Sequence, residues 1–329
     1  MCKKIHRGGN AEQYHADKKY KEAVAVAVEA CADDTKGQTC YICTQALHWK
    51  TKEGLVRMCS CRGTAGFAHV SCLAEQAKIL LADAEERNLD DNKWTRWHTC
   101  GLCEQGYHGV VRCALGWACW KTYLGRPEAD ELRGLAMTQL GNGLGEAKLL
   151  EDACSVYEAE LSMERRLGAS EENVLAVQTN LAITYGDLGD LKRALSMEQQ
   201  VYSGRLKLNG EENQSTIRAA LNYASSLSCL RRFKEARTLM RKTLPVARRV
   251  LEESHDLTLK VRWNYAMALY KDDGATLSDL RKAVQTLEEI ERTARRVLGG
   301  AHPTTTGIEA ALREAREALR AREAPSEST

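Results

Sequence analysis

The sequence predicts a mostly α-helical chain in which a small, cysteine-rich unit precedes a solenoid of helical hairpins. Three observations support this prediction. Proline occurs 4 times and aromatic residues make up 6% of the 329 residues, while alanine, leucine, glutamate and arginine dominate the second half. Cysteines cluster between residues 40 and 103, and from about residue 140 the chain repeats itself. A chain of this length more often forms two or three units than one.

Charge and hydropathy exclude two classes of partner. Lysine and arginine total 47 against 45 aspartate and glutamate, so the net charge of +2 gives no attraction to nucleic acid. The longest apolar stretch, 109–120, contains Arg112 and is well short of the roughly 18 residues needed to span a bilayer. No apolar run follows the basic first ten residues. We therefore expect no signal peptide, no membrane span and an intracellular location, in the cytoplasm rather than the nucleus.

The segment 17–32, DKKYKEAVAVAVEACA, carries two patterns. Its AVAVAV alternation suggests a strand, whereas Tyr20, Val24 and Val28 recur at helical spacing. Its alanine, lysine and glutamate content favours a helix. We assign residues 1–36 to an N-terminal helical segment.

Residues 37–108 contain four pairs of residues that commonly bind metals. The pairs are Cys40 and Cys43, Cys59 and Cys61, His69 and Cys72, and Cys100 and Cys103. In a reducing compartment, clustered thiols are more often metal ligands than disulfides. Two such pairs complete one closed tetrahedral site with Zn–S distances of about 2.3 Å, so eight ligands predict two structural Zn²⁺ ions. The alternative is that the cysteines are ordinary small buried residues.

The order of four cysteines, one histidine and three cysteines resembles two zinc modules, the RING-variant (RING-CH) domain and the PHD finger. The single residue between Cys59 and Cys61 and the seven residues before His69 resemble the RING-CH pattern. PHD fingers usually place a tryptophan two positions before the seventh ligand, where this chain has His98. We therefore interpret 37–108 as a RING-CH-type zinc finger, with the PHD finger as the alternative.

The RING-CH resemblance implies how the ligands pair. The two sites of a RING interleave along the chain in a cross-brace. One zinc would then be held by Cys40, Cys43, His69 and Cys72, and the other by Cys59, Cys61, Cys100 and Cys103. Because a module of this size has too little core to fold alone, metal binding would supply folding free energy.

The same resemblance implies a function. Proteins with this domain are typically ubiquitin ligases that bind a ubiquitin-conjugating enzyme and form no covalent intermediate, so no catalytic residue is expected in this chain. The docking surface includes an apolar residue between the first two ligands, where Ile42 stands. The chain departs from the family at Gln76, where a tryptophan is common, and at Glu104, where many active RING domains have a basic residue. Both departures favour a non-catalytic adaptor.

Residues 109–129 are the expected joint between the zinc finger and a repeat array at 130–323, and 324–329 are expected to be a disordered tail. Within the array, equivalent residues recur at an interval of 42, as in the two series Asn180, Asn222, Asn264 and Ala182, Ala224, Ala266. The third copy has extra residues that fit a loop at 271–274. A period near 40 with two amphipathic runs per unit is typical of a helical-hairpin solenoid.

The long repeat unit and the sequence LGGAHPTT from Leu298 resemble kinesin light chain-type tetratricopeptide repeats. This resemblance implies a concave groove that binds a protein substrate or a peptide. Asn180, Asn222 and Asn264 fall where this fold contacts a peptide backbone, so they are candidate partner-binding residues. They could instead brace neighbouring helices. The array could also be a spacer or a dimer surface.

A basic set in the second repeat has two interpretations. It could attract acidic ligands, or it could be a solvated helix face. The set consists of Arg231, Arg232, Lys234, Arg237, Arg241, Lys242, Arg248 and Arg249.

Taken together, the patterns predict a zinc-binding ubiquitin ligase. Its zinc finger would recruit a ubiquitin-conjugating enzyme, and its repeats would recruit a protein substrate. The alternatives are a non-catalytic, zinc-dependent interaction adaptor and a chromatin reader of the PHD kind.

Overall fold

The computed structural model describes residues 8–87, 93–300 and 302–323. These residues form twelve α-helices and one 3₁₀ helix, so the mostly α-helical prediction is confirmed. The helices are α1 (Gly8–Ala30), α2 (Val70–Glu86), the 3₁₀ helix (Lys93–Trp97), α3 (Gly109–Tyr123), α4 (Glu131–Glu146), α5 (Leu150–Leu167), α6 (Glu171–Asp187), α7 (Leu191–Asn209), α8 (Gln214–Cys229), α9 (Phe233–Leu251), α10 (Asp256–Tyr270), α11 (Leu277–Val297) and α12 (Pro303–Glu323). The tail at 324–329 lies outside the described residues.

The chain divides into two compact units, Met1–Ala169 and Ser170–Thr329. In the first unit, α3 packs against α1 and α4, and α4 packs against α5. The cysteine-bearing loops, α2 and the 3₁₀ helix share one core with α1 and α3. That core includes Tyr20, Val24, Phe67, Leu73, Trp97 and Leu115.

The first helix resolves the two patterns seen in its sequence. Its buried residues recur at helical spacing and include Ala16, Tyr20, Val24 and Ala27. The alternating valines are split between environments, because Val24 is buried while Val26 is 51% exposed. A single buried stripe against the rest of the unit therefore stabilises α1 as a helix.

In the second unit, each helix from α6 to α12 packs against the next. The alanines repeated at an interval of 42 lie on α6, α8 and α10, and Ala182, Ala224 and Ala266 are all buried. Small side chains at these stations let neighbouring helices approach closely. The extra residues of the third copy fall between α10 and α11, as predicted.

Side-chain caps mark the starts of α8, α10 and α12 in this unit. Asn213 Oδ1 accepts the N–H of Ser215, and His255 Nδ1 accepts the N–H of Leu257. His302 Nδ1 accepts the N–H of Thr304 in the same way. His255 and His302 therefore satisfy backbone N–H groups that a helix start leaves free.

The unit boundary falls inside the predicted repeat array. Helices α4 and α5 lie within 130–323, yet they group with α1–α3 in the first unit. The close approach of α3 and α4 is one reason, since a methyl group at Gly143 would lie 2.7 Å from the Arg112 carbonyl oxygen. The domain limits at 36, 108, 129 and 323 remain predictions.

Candidate metal centre

The first group of ligand-type residues gathers at the start of α2. Cys40 and Cys43 come from the loop after α1, His69 is the residue before α2, and Cys72 lies in its first turn. Their ligand atoms all lie within 4.8 Å of one another. The Sγ atoms of Cys43 and Cys72 are 3.4 and 3.5 Å from His69 Nδ1.

The second group joins two loops that are distant in sequence. Cys59 and Cys61 precede α2, whereas Cys100 and Cys103 follow the 3₁₀ helix. Their sulfur atoms also lie within 4.8 Å of one another, and the Sγ atoms of Cys61 and Cys100 are 3.7 Å apart. Alternate pairs along the chain thus share a group, which is the arrangement that the cross-brace expectation requires.

The geometry fits a tetrahedral cation with nitrogen and sulfur ligands. Bonds of about 2.3 Å to sulfur and about 2.0 Å to nitrogen put two ligands of one Zn²⁺ about 3.8 Å (S to S) or about 3.5 Å (S to N) apart. The Cys61–Cys100 sulfur distance of 3.7 Å and the sulfur-to-His69 distances of 3.4 and 3.5 Å agree with these values. His69 Nε2 donates to the Ala46 carbonyl at 3.3 Å, which leaves Nδ1 free to bind a metal. Burial lowers the pKa of His69, so the neutral imidazole that a metal requires is favoured.

The two Cys-x2-Cys pairs form matching turns. The N–H of Ile42 donates to Cys40 Sγ at 3.4 Å, and the N–H of Leu102 donates to Cys100 Sγ at the same distance. Such bonds stabilise a thiolate, which is the metal-binding form of cysteine. The local sequences CYICTQ and CGLCEQ share the same cysteine and glutamine positions.

The residue after each pair has left-handed backbone. Thr44 has φ 61° and Glu104 has φ 56°. The N–H of Thr44 donates to the Cys40 carbonyl, and that of Glu104 donates to the Cys100 carbonyl. Glu104 therefore closes a turn, and its side chain is exposed.

Neighbouring residues fix the start of α2 and the loop before it. Because His69 uses its side chain towards the cysteines, it makes no side-chain cap for α2. Glu53 replaces that cap, since its carboxylate accepts both the N–H and the hydroxyl of Ser71, at 2.7 and 2.8 Å. Arg57 binds Asp34 through two hydrogen bonds and donates to the Gly63 carbonyl at 2.7 Å. Contacts outside the two groups thus hold the chain segments that carry these ligand-type residues.

Gly66 lies against the second group and gives a sharp test of it. Its φ is +85°, and a Cβ there would lie 2.6 Å from Cys61 Cβ and 2.9 Å from Cys61 Sγ. We expect Gly66→Ala to destabilise the metal-bound unit by about 3 kcal/mol or more, because left-handed strain adds to a collision with a ligand. Gly63 is the matched control, since it has φ +60° with nothing within 4 Å of its Cβ position, and Gly63→Ala should cost about 1 kcal/mol.

Zinc release to a chromogenic chelator measures how well each variant retains zinc. Equal zinc retention in Gly66→Ala and Gly63→Ala would contradict the placement of Gly66 against a metal ligand.

Three elements meet at one surface beside the two groups. Tyr41 Oη donates to Gln76 Oε1 on α2 at 3.5 Å, and a methyl group at Gly101 would lie 3.7 Å from Tyr41 Oη. Ile42 is half-buried, while Leu102 is 52% exposed. The sequence analysis named Ile42 but missed Leu102. The signal that could have found it is its position in the second pair, which matches that of Ile42 in the first.

Two other buried cysteines of this unit have a packing role. Cys113 and Cys119 both lie on α3 and are buried in the core. Burial raises the pKa of Cys113 to about 11. Within the described residues, the groups able to hold a metal ion are the two described above.

The predicted groove asparagines lie on the first helix of each hairpin, on α6, α8 and α10. Asn222 and Asn264 line a cavity of about 480 Å³ together with apolar residues such as Met267. Asn264 is 7% exposed, and its amide donates to Ser225 Oγ at 3.0 Å. Asn264 therefore braces α8 against α10. Asn180 and Asn222 are less buried than Asn264, since both are half-buried.

The basic set of the second repeat is largely neutralised by ion pairs. Five of its eight members bind carboxylates, in the pairs Arg231–Asp273, Arg232–Glu235, Arg237–Asp279, Arg248–Glu253 and Arg249–Glu212. This pairing favours the solvated-face interpretation over an acidic-ligand site.

Comparisons with known proteins bear on the repeats. A tetratricopeptide repeat model matches residues 174–215 and 216–256. The nearly identical TPR-like repeats of a kinesin light chain protein from Podosopora anserina superpose with a TM-score of 0.50 at 20% identity, covering 58% of this chain and 88% of that one. BtubC (BKLC) from P. vanneervenii gives a TM-score of 0.42 at 13% identity, covering 79% of this chain and 94% of that one. No curated protein matches the sequence.

Among the described residues, the structure contains no helix that meets the length and hydropathy needed to cross a bilayer. The family match and the superposition at a TM-score of 0.50 both indicate tetratricopeptide repeats, which are protein-interaction scaffolds. The chain thus combines two four-ligand groups that could hold metal ions with a tetratricopeptide-type solenoid.

Proposed function

We propose that this protein binds two zinc ions and acts as a RING-CH-type ubiquitin ligase, with its repeats as the receptor for a protein substrate. The observation that carries the proposal is that two groups of four ligand-type residues interleave along the chain. The spacing of the ligands in the sequence supports the RING-CH type.

In this proposal the chain positions the reactants and supplies no nucleophile. When bound, each zinc ion supplies a closed structural cross-link, because four protein ligands leave no position for water. Ile42 and Leu102 present apolar side chains from the two matching turns, and Gln76 on α2 lies beside their chain neighbours Tyr41 and Gly101. A conjugating enzyme docked there would hold its ubiquitin thioester for attack by a substrate lysine, and the conjugating enzyme's thiolate would leave.

Discharge of a ubiquitin-charged conjugating enzyme onto free lysine tests this proposal. We expect the wild-type protein to accelerate discharge with at least one conjugating enzyme of a panel. Ile42→Ala should slow discharge by up to about thirtyfold without releasing zinc, because one interface anchor contributes about 2 kcal/mol. No discharge by the wild type with both zinc ions bound, with any conjugating enzyme tested, would count against ligase activity.

An adaptor without ligase activity is the second candidate, and Glu104 favours it. Glu104 puts an exposed carboxylate where many active RING domains have a basic residue. If this charge limits activity, Glu104→Arg should raise the discharge rate. Thr44→Arg is the matched control, because Thr44 has the same left-handed backbone in the first turn. A faster rate in both variants would indicate a general charge effect, and no discharge in either would favour the adaptor.

We further expect the repeats to bind a protein partner without help from the zinc sites. The cavity lined by Asn222 and Asn264 lies wholly in the second unit. Asn222→Ala should weaken capture of protein partners by about tenfold, whereas full-length Cys59→Ser should retain them. Quantitative pull-down with the two variants measures this. Loss of every partner in Cys59→Ser would contradict the receptor role of the repeats.

A further inference from the structure

The loop between Cys43 and Gly54 presents two large apolar side chains to solvent. Trp49 is 69% exposed and Leu47 is 59% exposed. Solvent exposure of a tryptophan leaves a large apolar area in water, and its free-energy cost is about 25 cal/mol per Å². A loop under no other constraint would turn such side chains inward.

The first group of ligand-type residues holds the backbone of this loop in place. The Ala46 carbonyl accepts from His69 Nε2 at 3.3 Å, and the His48 ring packs edge-on against the His69 ring at 5.3 Å between centroids. His48 is buried, and its ring Nδ1 accepts the backbone N–H of Thr51. The backbone N–H of His48 donates to the Glu53 carbonyl. Leu47 and Trp49 flank this buried histidine, so the fixed backbone directs both of them outward.

The charge of the loop indicates the chemistry of its partner. Lys50 and Lys52 are exposed beside Trp49. The acidic residue of the loop, Glu53, is occupied by both hydrogen bonds to Ser71. The exposed surface is therefore apolar and cationic, which complements an acidic surface with an apolar recess.

We propose that Trp49 and Leu47 form a second anchor for the ubiquitin-conjugating enzyme, beside the Ile42 surface, and that Lys50 and Lys52 pair with acidic residues of that enzyme. This inference rests on the proposed function. The loop continues the proposed docking surface, because it begins at the turn that carries Ile42 and is fixed to the same group of ligand-type residues. Rigid aromatic side chains in such positions commonly provide most of the affinity of an interface.

Isothermal titration of full-length, zinc-loaded protein against a panel of conjugating enzymes tests the proposal. Trp49→Ala should weaken binding at least about tenfold, and Leu47→Ala about threefold. Tyr14→Ala is the matched control, since Tyr14 is 73% exposed on α1, and it should leave the affinity unchanged. The double variant Lys50→Glu, Lys52→Glu should weaken binding and reduce the salt dependence of the affinity. Zinc content and far-UV circular dichroism show whether each variant is folded.

The outcomes separate the two proposals. If the wild type binds and Ile42→Ala weakens binding while Trp49→Ala does not, the second anchor is wrong and the proposed function stands. If the zinc-loaded wild type binds no enzyme of the panel, the proposed function fails, and the anchor fails with it. Trp49→Ala could instead abolish binding to phosphatidylserine vesicles and leave enzyme affinity unchanged. That result would assign the loop to a membrane surface and overturn the inference.

Discussion

Cys59→Ser is expected to unfold the metal-binding segment of the first unit while most of the helical signal survives. Cys59 supplies one of four ligands to the second group. Structural zinc contributes roughly 10–16 kcal/mol of apparent binding free energy in small domains, which is as large as the whole stability of a typical domain. Because the groups interleave, loss of one site also loosens the loops that carry the other. We expect zinc content to fall and amide hydrogens near the Val56–Ala68 bridge and Trp97 to exchange rapidly.

The control for this prediction is Cys229→Ser, since Cys229 is exposed on α8 and belongs to neither group. It should keep both zinc ions and the wild-type exchange pattern. Helices α6–α12 should stay protected in Cys59→Ser, because their contacts run between neighbouring repeats. Loss of the whole far-UV helical signal in Cys59→Ser would contradict the division into two units.

Glu198→Gln is expected to stabilise the second unit in a pH-dependent way. Glu198 is 2% exposed on α7, and its Oε2 atom finds no hydrogen-bond partner within the part of the chain that the structure describes. In the next two repeats the equivalent positions hold the buried residues Met240 and Leu287. Burial raises the pKa of Glu198 from 4.5 to about 8. The folded chain thus keeps a proton that the unfolded chain releases above pH 4.5.

Stability should therefore fall as the pH rises from about 4.5 to about 8, by up to about 1.4 kcal/mol per pH unit from this residue, and then level off. We expect Glu198→Gln to match the wild type within about 1 kcal/mol at pH 5 and to exceed it by about 3–5 kcal/mol at pH 9. Urea unfolding at both pH values, followed by circular dichroism, measures the difference. Exposed Glu211 supplies the control, and Glu211→Gln should show no such trend. A constant difference between Glu198→Gln and wild type would contradict the buried neutral acid.

The repeat period and the ligand pairs were predictable from sequence for a physical reason. Small side chains are needed where helices approach closely. A buried alanine such as Ala224 therefore recurs once in each repeat, at the repeat interval of 42. The eight ligand-type residues come in pairs of short spacing, because two side chains on one backbone turn can bind the same metal ion. The structure brings these eight residues together in two groups of four.

Other features depend on contacts that leave no local pattern. Glu53 and Ser71 are 18 residues apart, and the need for a substitute cap arises because His69 faces the cysteines. The grouping of α4 with α3 depends on close contact at Gly143, and nothing in the local sequence distinguishes that glycine from others. Exposure of Trp49 follows from the burial of its neighbour His48, which is a tertiary effect.

Elemental analysis of the purified, folded protein tests the central claim most directly. The two groups, Cys40, Cys43, His69 and Cys72 and Cys59, Cys61, Cys100 and Cys103, predict two zinc ions per chain. Removal of the metal by a chelator should release both ions and expose Trp97, which is 1% exposed in the structure, so that its fluorescence shifts to longer wavelength. Two zinc ions per chain is the predicted result. A folded sample with one zinc ion or none, and with Trp97 still buried, would contradict the account.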